Sequence, residues 1–236
     1  MTKNTKPLGQ KAYGSIPHLP FSRIGTGDHH IEEGQALIAT KQTRDKGDLI
    51  IVQEKLDGSN CSVAKVNGQI LALGRSGYLA ETSPFEQHKL FAKWVLINEQ
   101  RFINLLNENE RVCGEWLAQA HGTMYKLIHE PFVVFDLITK NDRVSYHDFL
   151  LRVLPLGFVV PNLVHIGQSL SIEKALKKIE VSGHGAIDEV EGVIYRVERN
   201  GKFDFLTKFV KMSKVDGKYL PENNNGTTIW NWNPEL

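Results

Sequence analysis

The sequence predicts an α+β fold of antiparallel sheets flanked by helices, and three observations predict it. Asn67-Gly68 and Asn200-Gly201 each separate two apolar or alternating runs. That dipeptide suits the tight two-residue turn of a β-hairpin, which joins antiparallel strands. Other short runs rich in Val, Ile, Phe and Trp, at residues 111–117 and 131–138, read as further strands. Segments opening at Ser83, Ser145 and Ser171 read as helices with serine at the capping position.

In chain order, residues 1–36 are rich in Gly, Pro and His and read as an extended N-terminal arm. Residues 48–75 read as a β-meander, from Leu49-Ile50-Ile51-Val52 through the Asn67-Gly68 turn to Arg75 in a glycine-flanked turn. Residues 83–108 read as the longest helix: Ser83 at the cap, Pro84 at the first helical position, Glu86 completing a capping box. Leu90, Phe91, Trp94, Ile97 and then Leu105 or Leu106 form its apolar stripe. Residues 158–161 and 163–166 suggest an edge strand with a bend, 191–197 and 203–210 a returning pair of strands. The tail, 212–236, is polar and turn-rich, but Trp230 and Trp232 suggest that it docks on the body. With no repeats and no clear linker, residues 1–236 read as one domain.

Composition narrows the function classes. Hydrophobic content of 41% and charged content of 23% are those of an ordinary soluble globular protein. A net charge of +1 gives no bulk basic signal, so any nucleic-acid footprint has to be a local patch of the 28 basic residues. Cys61 and Cys113 lie in apolar runs and read as buried thiols, with no Cys-x-x-Cys pair to suggest zinc. The N-terminus has no apolar signal core and no stretch approaches a membrane span, so the expected compartment is the cytoplasm. Asp28-His29-His30 invites a metal reading, but adjacent loop histidines are more often polar surface residues than ligands.

The chemistry centres on Glu54-Lys55-Leu56-Asp57-Gly58-Ser59-Asn60, set between two strands. A lysine becomes a nucleophile only when it loses its proton, which takes desolvation or nearby positive charge. Asp57, two residues on, shares its face if the segment is extended and is able to orient the amine or take its proton. Lys-x-Asp-Gly alone is weak, because Lys214-Val215-Asp216-Gly217 matches it too. The second match, near the chain end, reads as a surface turn.

The string of candidates around the first match resembles the motifs of the covalent nucleotidyltransferases: RNA ligases, DNA ligases and mRNA capping enzymes. Glu54 to Asn60 resembles motif I, and Arg75 lies where RNA ligases have an arginine. Gly114-Glu115-Trp116 resembles motif III, Phe135 the aromatic of motif IIIa, Glu191-Gly192-Val193-Ile194 motif IV, and residues 205–211 motif V. The resemblance implies a nucleotidyltransferase (ATP-grasp-like ligase) domain of antiparallel sheets around an ATP pocket. It implies that Lys55 attacks the α-phosphate of ATP and carries a lysyl-AMP. The AMP then passes to a 5′-phosphate RNA end, which a 3′-hydroxyl end attacks. It further implies that Lys208 and Lys211 hold the α-phosphate and lower the pKa of Lys55, and that Glu115 holds a ribose hydroxyl. Phe135 would stack on adenine, Arg75 would contact ribose or phosphate, Glu54 would lie at the adenine edge, and Asn60 would serve the later steps. Magnesium (or manganese) would be held by Glu191. Motif V departs from the family pattern: Lys208 and Lys211 are three apart, not two, and on a strand point to opposite faces.

DNA ligases and capping enzymes carry an OB domain after motif V, and only 25 residues follow Lys211, so no OB domain is expected. The form of motif I resembles the RNA ligases related to the phage and kinetoplastid editing enzymes, and residues 13–20 and 216–221 resemble bacterial and phage members of that superfamily. The expectation is an ATP-dependent RNA ligase. Its rivals are a minimal DNA ligase, a capping-type guanylyltransferase, and a non-catalytic nucleotide- or RNA-binding module of the same fold.

Overall fold

The structure is a computed structural model that describes residues 6–140 and 142–232; the ends of the arm and tail lie outside those residues. The chain divides into two compact units, and it passes from one to the other between Asp57 and Gly58.

The first unit comprises Gly58–Gln119 and Glu130–Val160 with the N-terminal stretch through Gly14. Its strands are β2 (Ser59–Val66), β3 (Gln69–Gly74), β4 (Glu110–Trp116), β5 (Phe132–Thr139) and β6 (Asp142–Arg143). They pair antiparallel in the order β3-β2-β4-β5-β6. Asn67 and Gly68 take φ of 52° and 75° between β2 and β3, the conformation their hairpin turn needs. One face of this sheet carries Trp116 and Phe132 into an aromatic cluster with Phe91, Trp94 and Phe102.

Those last three residues come from two helices, where the sequence suggested one over 83–108. Helix α2 spans Glu86–Ile97 and α3 spans Glu99–Leu105, with the break at Asn98. Ser83 does not cap α2; its Oγ accepts from the Phe85 amide and bonds His88, and extended Phe85 precedes the helix. The break has a packing reason. Eight residues of unbroken helix would separate Trp94 and Phe102 by about 12 Å along the axis, whereas their rings lie 6.0 Å apart. Asn98 closes the bend by donating through Nδ2 to the Trp94 carbonyl. Ile97, expected in the buried stripe, is 65% exposed as a result, and Phe102 takes its place in the core. The last helix of this unit, α4 (Tyr146–Val153), starts at Ser145 as expected, whose Oγ accepts from the Asp148 amide.

The second unit comprises Ser15–Asp57, Ala120–His129 and the chain from Pro161 onward. It contains α1 (Glu33–Thr40), β1 (Asp48–Lys55), β7 (Leu163–Gly167), α5 (Ile172–Lys178), β8 (Gly192–Arg199) and β9 (Lys202–Val210). The sheet order is β7-β1-β8-β9, every pairing antiparallel. So β1 is not the first strand of a meander with β2 and β3. Its run Leu49-Ile50-Ile51-Val52 is buried at three consecutive positions because it is a central strand covered on both faces. Ile50, Val52, Val193, Tyr195, Val197, Phe205 and Phe209 form one core with Ala36, Ala39, Ala175 and Ile179 of the two helices. Helix α1 was not expected: it begins inside the stretch read as an extended arm, and it has no side-chain cap. The arm proper pairs alongside β9, with Leu19 N donating to the Lys208 carbonyl and Lys208 N to that of Pro17. The tail bonds to residues 120–125: Tyr219 N to the His121 carbonyl, Ala120 N to the Ile229 carbonyl, and Tyr125 N to Asn231 Oδ1.

Cys61 and Cys113 are buried free thiols. Among the described residues no helix is long and apolar enough to cross a membrane.

Candidate active site

In the second unit the site forms where β1 ends. Lys55, the last residue of β1, pairs in register with Gly192 at the start of β8. A side chain at Gly192 would put its Cβ 1.9 Å from the Phe209 carbonyl oxygen, so only glycine lets β8 and β9 run this close there. That register brings Glu191 beside the lysine. Lys55 Nζ donates to Glu191 Oε2 at 2.6 Å and to the Leu56 carbonyl at 3.2 Å. Glu191 is buried. Burial raises its carboxyl above the usual range and the Asp57 charge adds to this, while Lys55 and Lys214 oppose it.

Asp57 sits two residues past Lys55, outside the strand. Its Oδ2 accepts from the Gly122 amide at 2.8 Å and from Lys214 Nζ, and its own amide donates to Tyr125 Oη at 3.0 Å. Burial pushes the Asp57 carboxyl up, but the charge and hydrogen bond of Lys214, then the charge of Lys55, outweigh it and hold it below the usual range.

The surface turn expected at Lys214 is therefore overturned. Lys214 is buried, and its Nζ also donates to the buried Thr123 Oγ1 at 2.7 Å. Only the rest of the second Lys-x-Asp-Gly is a surface feature: Asp216 pairs with Arg23 at 2.6 Å. Gly122, Thr123, Tyr125 and Lys214 are the site residues that sequence reasoning missed. The repeated motif was the one available signal, and nothing local said that its lysine folds back on the Asp57 of the first.

Lys208 pairs with Ile194, which pairs with Gln53, so Lys208 shares a sheet face with Gln53 and Lys55. Its Nζ lies 3.8 Å from Asp28 Oδ1. Asp28 also bonds His18 Nε2 at 3.0 Å, while His29 and His30 are exposed. Among the described residues no group of three or more His, Cys, Asp or Glu is arranged to hold a metal. Lys211 follows the end of β9. Its amide donates to the Glu191 carbonyl at 3.0 Å, and its ammonium to Glu189 Oε1 at 2.8 Å. Glu54 alternates to the opposite side of β1 from Lys55. Both its carboxylate oxygens are engaged, by Ser182 Oγ at 2.5 Å and the Gly183 amide at 2.8 Å.

The first unit holds the remaining candidates. Asn60 and Glu115 are direct cross-strand partners, so they share a face. Glu115 Oε1 accepts from the Gly58 amide at 3.1 Å. Asn60 Oδ1 is buried and has no hydrogen-bond partner, an acceptor of the kind that a bound hydroxyl or amine satisfies. The β4–β5 ladder slips between Cys113 and Gly114, leaving Phe135 as the extra residue of a bulge. Phe135 is half-buried and meets Tyr13 edge-on at 5.2 Å. Arg75 is exposed, and its Nη2 donates to the Gly14 carbonyl at 3.4 Å. Glu191, like Asp57 a carboxylate next to a lysine, has oxygen chemistry of the kind that suits a hard divalent cation sharing phosphate oxygens.

The family model described as RNA ligase matches residues 48–212, most of the chain. No curated protein matches the chain significantly. Among solved structures the chain is similar to Naegleria gruberi RNA ligase. A mutant form of that protein with ATP and Mn is 17% identical with a TM-score of 0.54, the match covering 92% of this chain and 64% of that one. A mutant with AMP and Mn gives 18% identity and 0.53 over 86% and 62%. The form with PPi gives 18% and 0.52 over 95% and 63%. This chain thus spans less than two thirds of the length of these structures, and at such identity the likeness is one of fold. Motifs in order, fold and family model agree, and the chain belongs to the RNA ligase family.

Proposed function

We propose that this protein is an ATP-dependent RNA ligase that joins 5′-phosphate and 3′-hydroxyl RNA ends through a lysyl-AMP intermediate and an adenylylated 5′ end. The observation that carries the reading is Lys55, held at the end of a central strand against a buried carboxylate, with Lys208 on the same sheet face. In the first step the Lys55 amine bonds to the α-phosphorus of ATP. The α–β P–O bond breaks, pyrophosphate leaves with the electron pair, and the amine gives up a proton. The other two steps are also phosphoryl transfers, in which positioning and charge stabilisation do most of the work. Magnesium or manganese, when bound, would neutralise charge on the phosphates, with Glu191 as its protein ligand. Lys208 would face the α-phosphate and Lys211 would support it. Glu115 and Asn60 would take ribose hydroxyl or phosphate groups, Phe135 would stack on adenine, Arg75 would contact ribose or phosphate, and Glu54 would flank the adenine edge.

The whole chain acting as one nucleotidyltransferase domain, in a cytoplasmic setting, belongs to the same proposal; the two unpaired, buried thiols suit a reducing compartment. The test is incubation with α-labelled ATP and magnesium. The wild type is expected to take label and the Lys55→Ala variant none; label retained by Lys55→Ala sinks the assignment. Sealing of strands ending in a ribose but not a deoxyribose 3′-hydroxyl then separates RNA from DNA ligase.

A further inference from the structure

Lys214 is the only lysine in the buried class among the described residues, with 4% of its side chain exposed. A buried ammonium is costly unless it is paired and hydrogen-bonded, and a buried ion pair stabilises no better than well-packed apolar side chains. Its burial at this place therefore asks for another explanation. The place is specific. Lys214 reaches Asp57 and Thr123. Residue 122 is glycine, and a Cβ there would come within 2.9 Å of Lys214 Nζ and 2.3 Å of the Val215 carbonyl oxygen. Asp57 is also held by the amide of Gly122, and its own amide bonds Tyr125. The tail that follows Lys214 bonds to His121 and Tyr125, which backs the same segment.

Asp57 and Glu191 are two carboxylates that both feel the charge of Lys55. Lys55 bonds Glu191, and Lys214 bonds Asp57. Without Lys214, Asp57 would be a buried anion two residues from Lys55, free to draw that ammonium away from its place. We propose that Lys214 is a positioning residue for nucleotidyl transfer: by pairing with Asp57 it fixes the segment just after β1 and leaves Lys55 aligned with Glu191. The second Lys-x-Asp-Gly thus works through the first. The proposal rests on the reading of Lys55 as the adenylylated nucleophile, and it involves no bond to Lys214 itself.

The test compares wild type, Lys214→Met, Asp57→Asn and the double variant in single-turnover formation of protein-bound label from α-labelled ATP and magnesium, with melting temperature followed in parallel. A lost alignment of the reacting amine is expected to slow the step about 100-fold in Lys214→Met, with the ATP concentration at half-maximal rate little changed. Because Lys214 acts through Asp57, the double variant is expected to be no slower than the slower single variant. The double variant replaces the ion pair with two neutral groups, so it carries the test should Lys214→Met alone fail to fold. Wild-type rates in folded Lys214→Met overturn the proposal, as do losses that multiply in the double variant or, should Lys214→Met not fold, a double variant slower than Asp57→Asn alone. Absence of label on the wild type overturns the ligase reading and this proposal together, whereas label on the wild type with an unaffected Lys214→Met overturns this proposal alone.

Discussion

His184 lies buried in the loop that holds Glu54, with its amide bonded to Ser182 Oγ. Asn162 N–H donates to its Nε2, so the neutral ring carries its proton on Nδ1 and donates it to His129 Nε2 at 2.8 Å. Burial, then the neighbouring His129, lowers its pKa to about 4. An unfolded histidine titrates near 6.5, so the unfolded chain binds the proton first as pH falls. Stability from this group is complete above about pH 6.5 and is lost progressively down to about pH 4, by up to roughly 3 kcal/mol. Two measurements check this: an NMR titration of the His184 ring with a midpoint near 4, and a pH 7 to pH 5 stability difference that shrinks in His184→Gln. At this same scale residue type picked out Lys55, Asp57 and Glu191 as candidates, and the fold brings Lys55 and Glu191 into contact. The sequence was not legible for Lys214, because a lysine in a turn-rich tail looks solvated until the fold brings Asp57 to it. Nor could residue type say that Glu54 is bound by Ser182 and Gly183, since 128 positions separate the first pair.

Strands and hairpins were the readable elements. Both Asn-Gly turns form, with positive φ at Asn67, Gly68, Asn200 and Gly201, because that conformation is dictated within the dipeptide itself. The helix over 83–108 was misjudged in its start and its continuity because the aromatic cluster, a non-local arrangement, bends the chain at Asn98. The bulge that sets Phe135 apart is likewise a property of two strands, β4 and β5, and not of either alone. The element most directly tied to the site is the β8–β9 pair. Gly192→Ala would place a methyl group against the Phe209 carbonyl in the sheet interior. It is expected to destabilise the protein by on the order of 2 kcal/mol, measured by denaturant unfolding. Adenylylation should fall more than stability explains, since Lys55 pairs with Gly192. An alanine variant as stable and active as wild type would show that the close approach is not needed.

For the molecule as a whole, ligand binding and folding are linked. ATP with magnesium at about 100 times its Kd should add about 2.7 kcal/mol to stability and raise the Tm by roughly 5–10 °C in a protein of this size. The measurement is best made on Lys55→Ala, so that no covalent adduct forms; a Tm that does not move with ATP counts against the site.

The sequence by itself determined the fold class, the hairpin turns, the unpaired thiols and the family, because these rest on local conformational preference and on an ordered series of short motifs. The tertiary structure alone decided that β1 and β2, adjacent in sequence, join different sheets, and that the chain changes unit between Asp57 and Gly58. It also decided that the lysine of the second Lys-x-Asp-Gly pairs with Asp57 of the first. Strand partners and buried ion pairs depend on which distant segments cover which faces, and no window of sequence contains both partners.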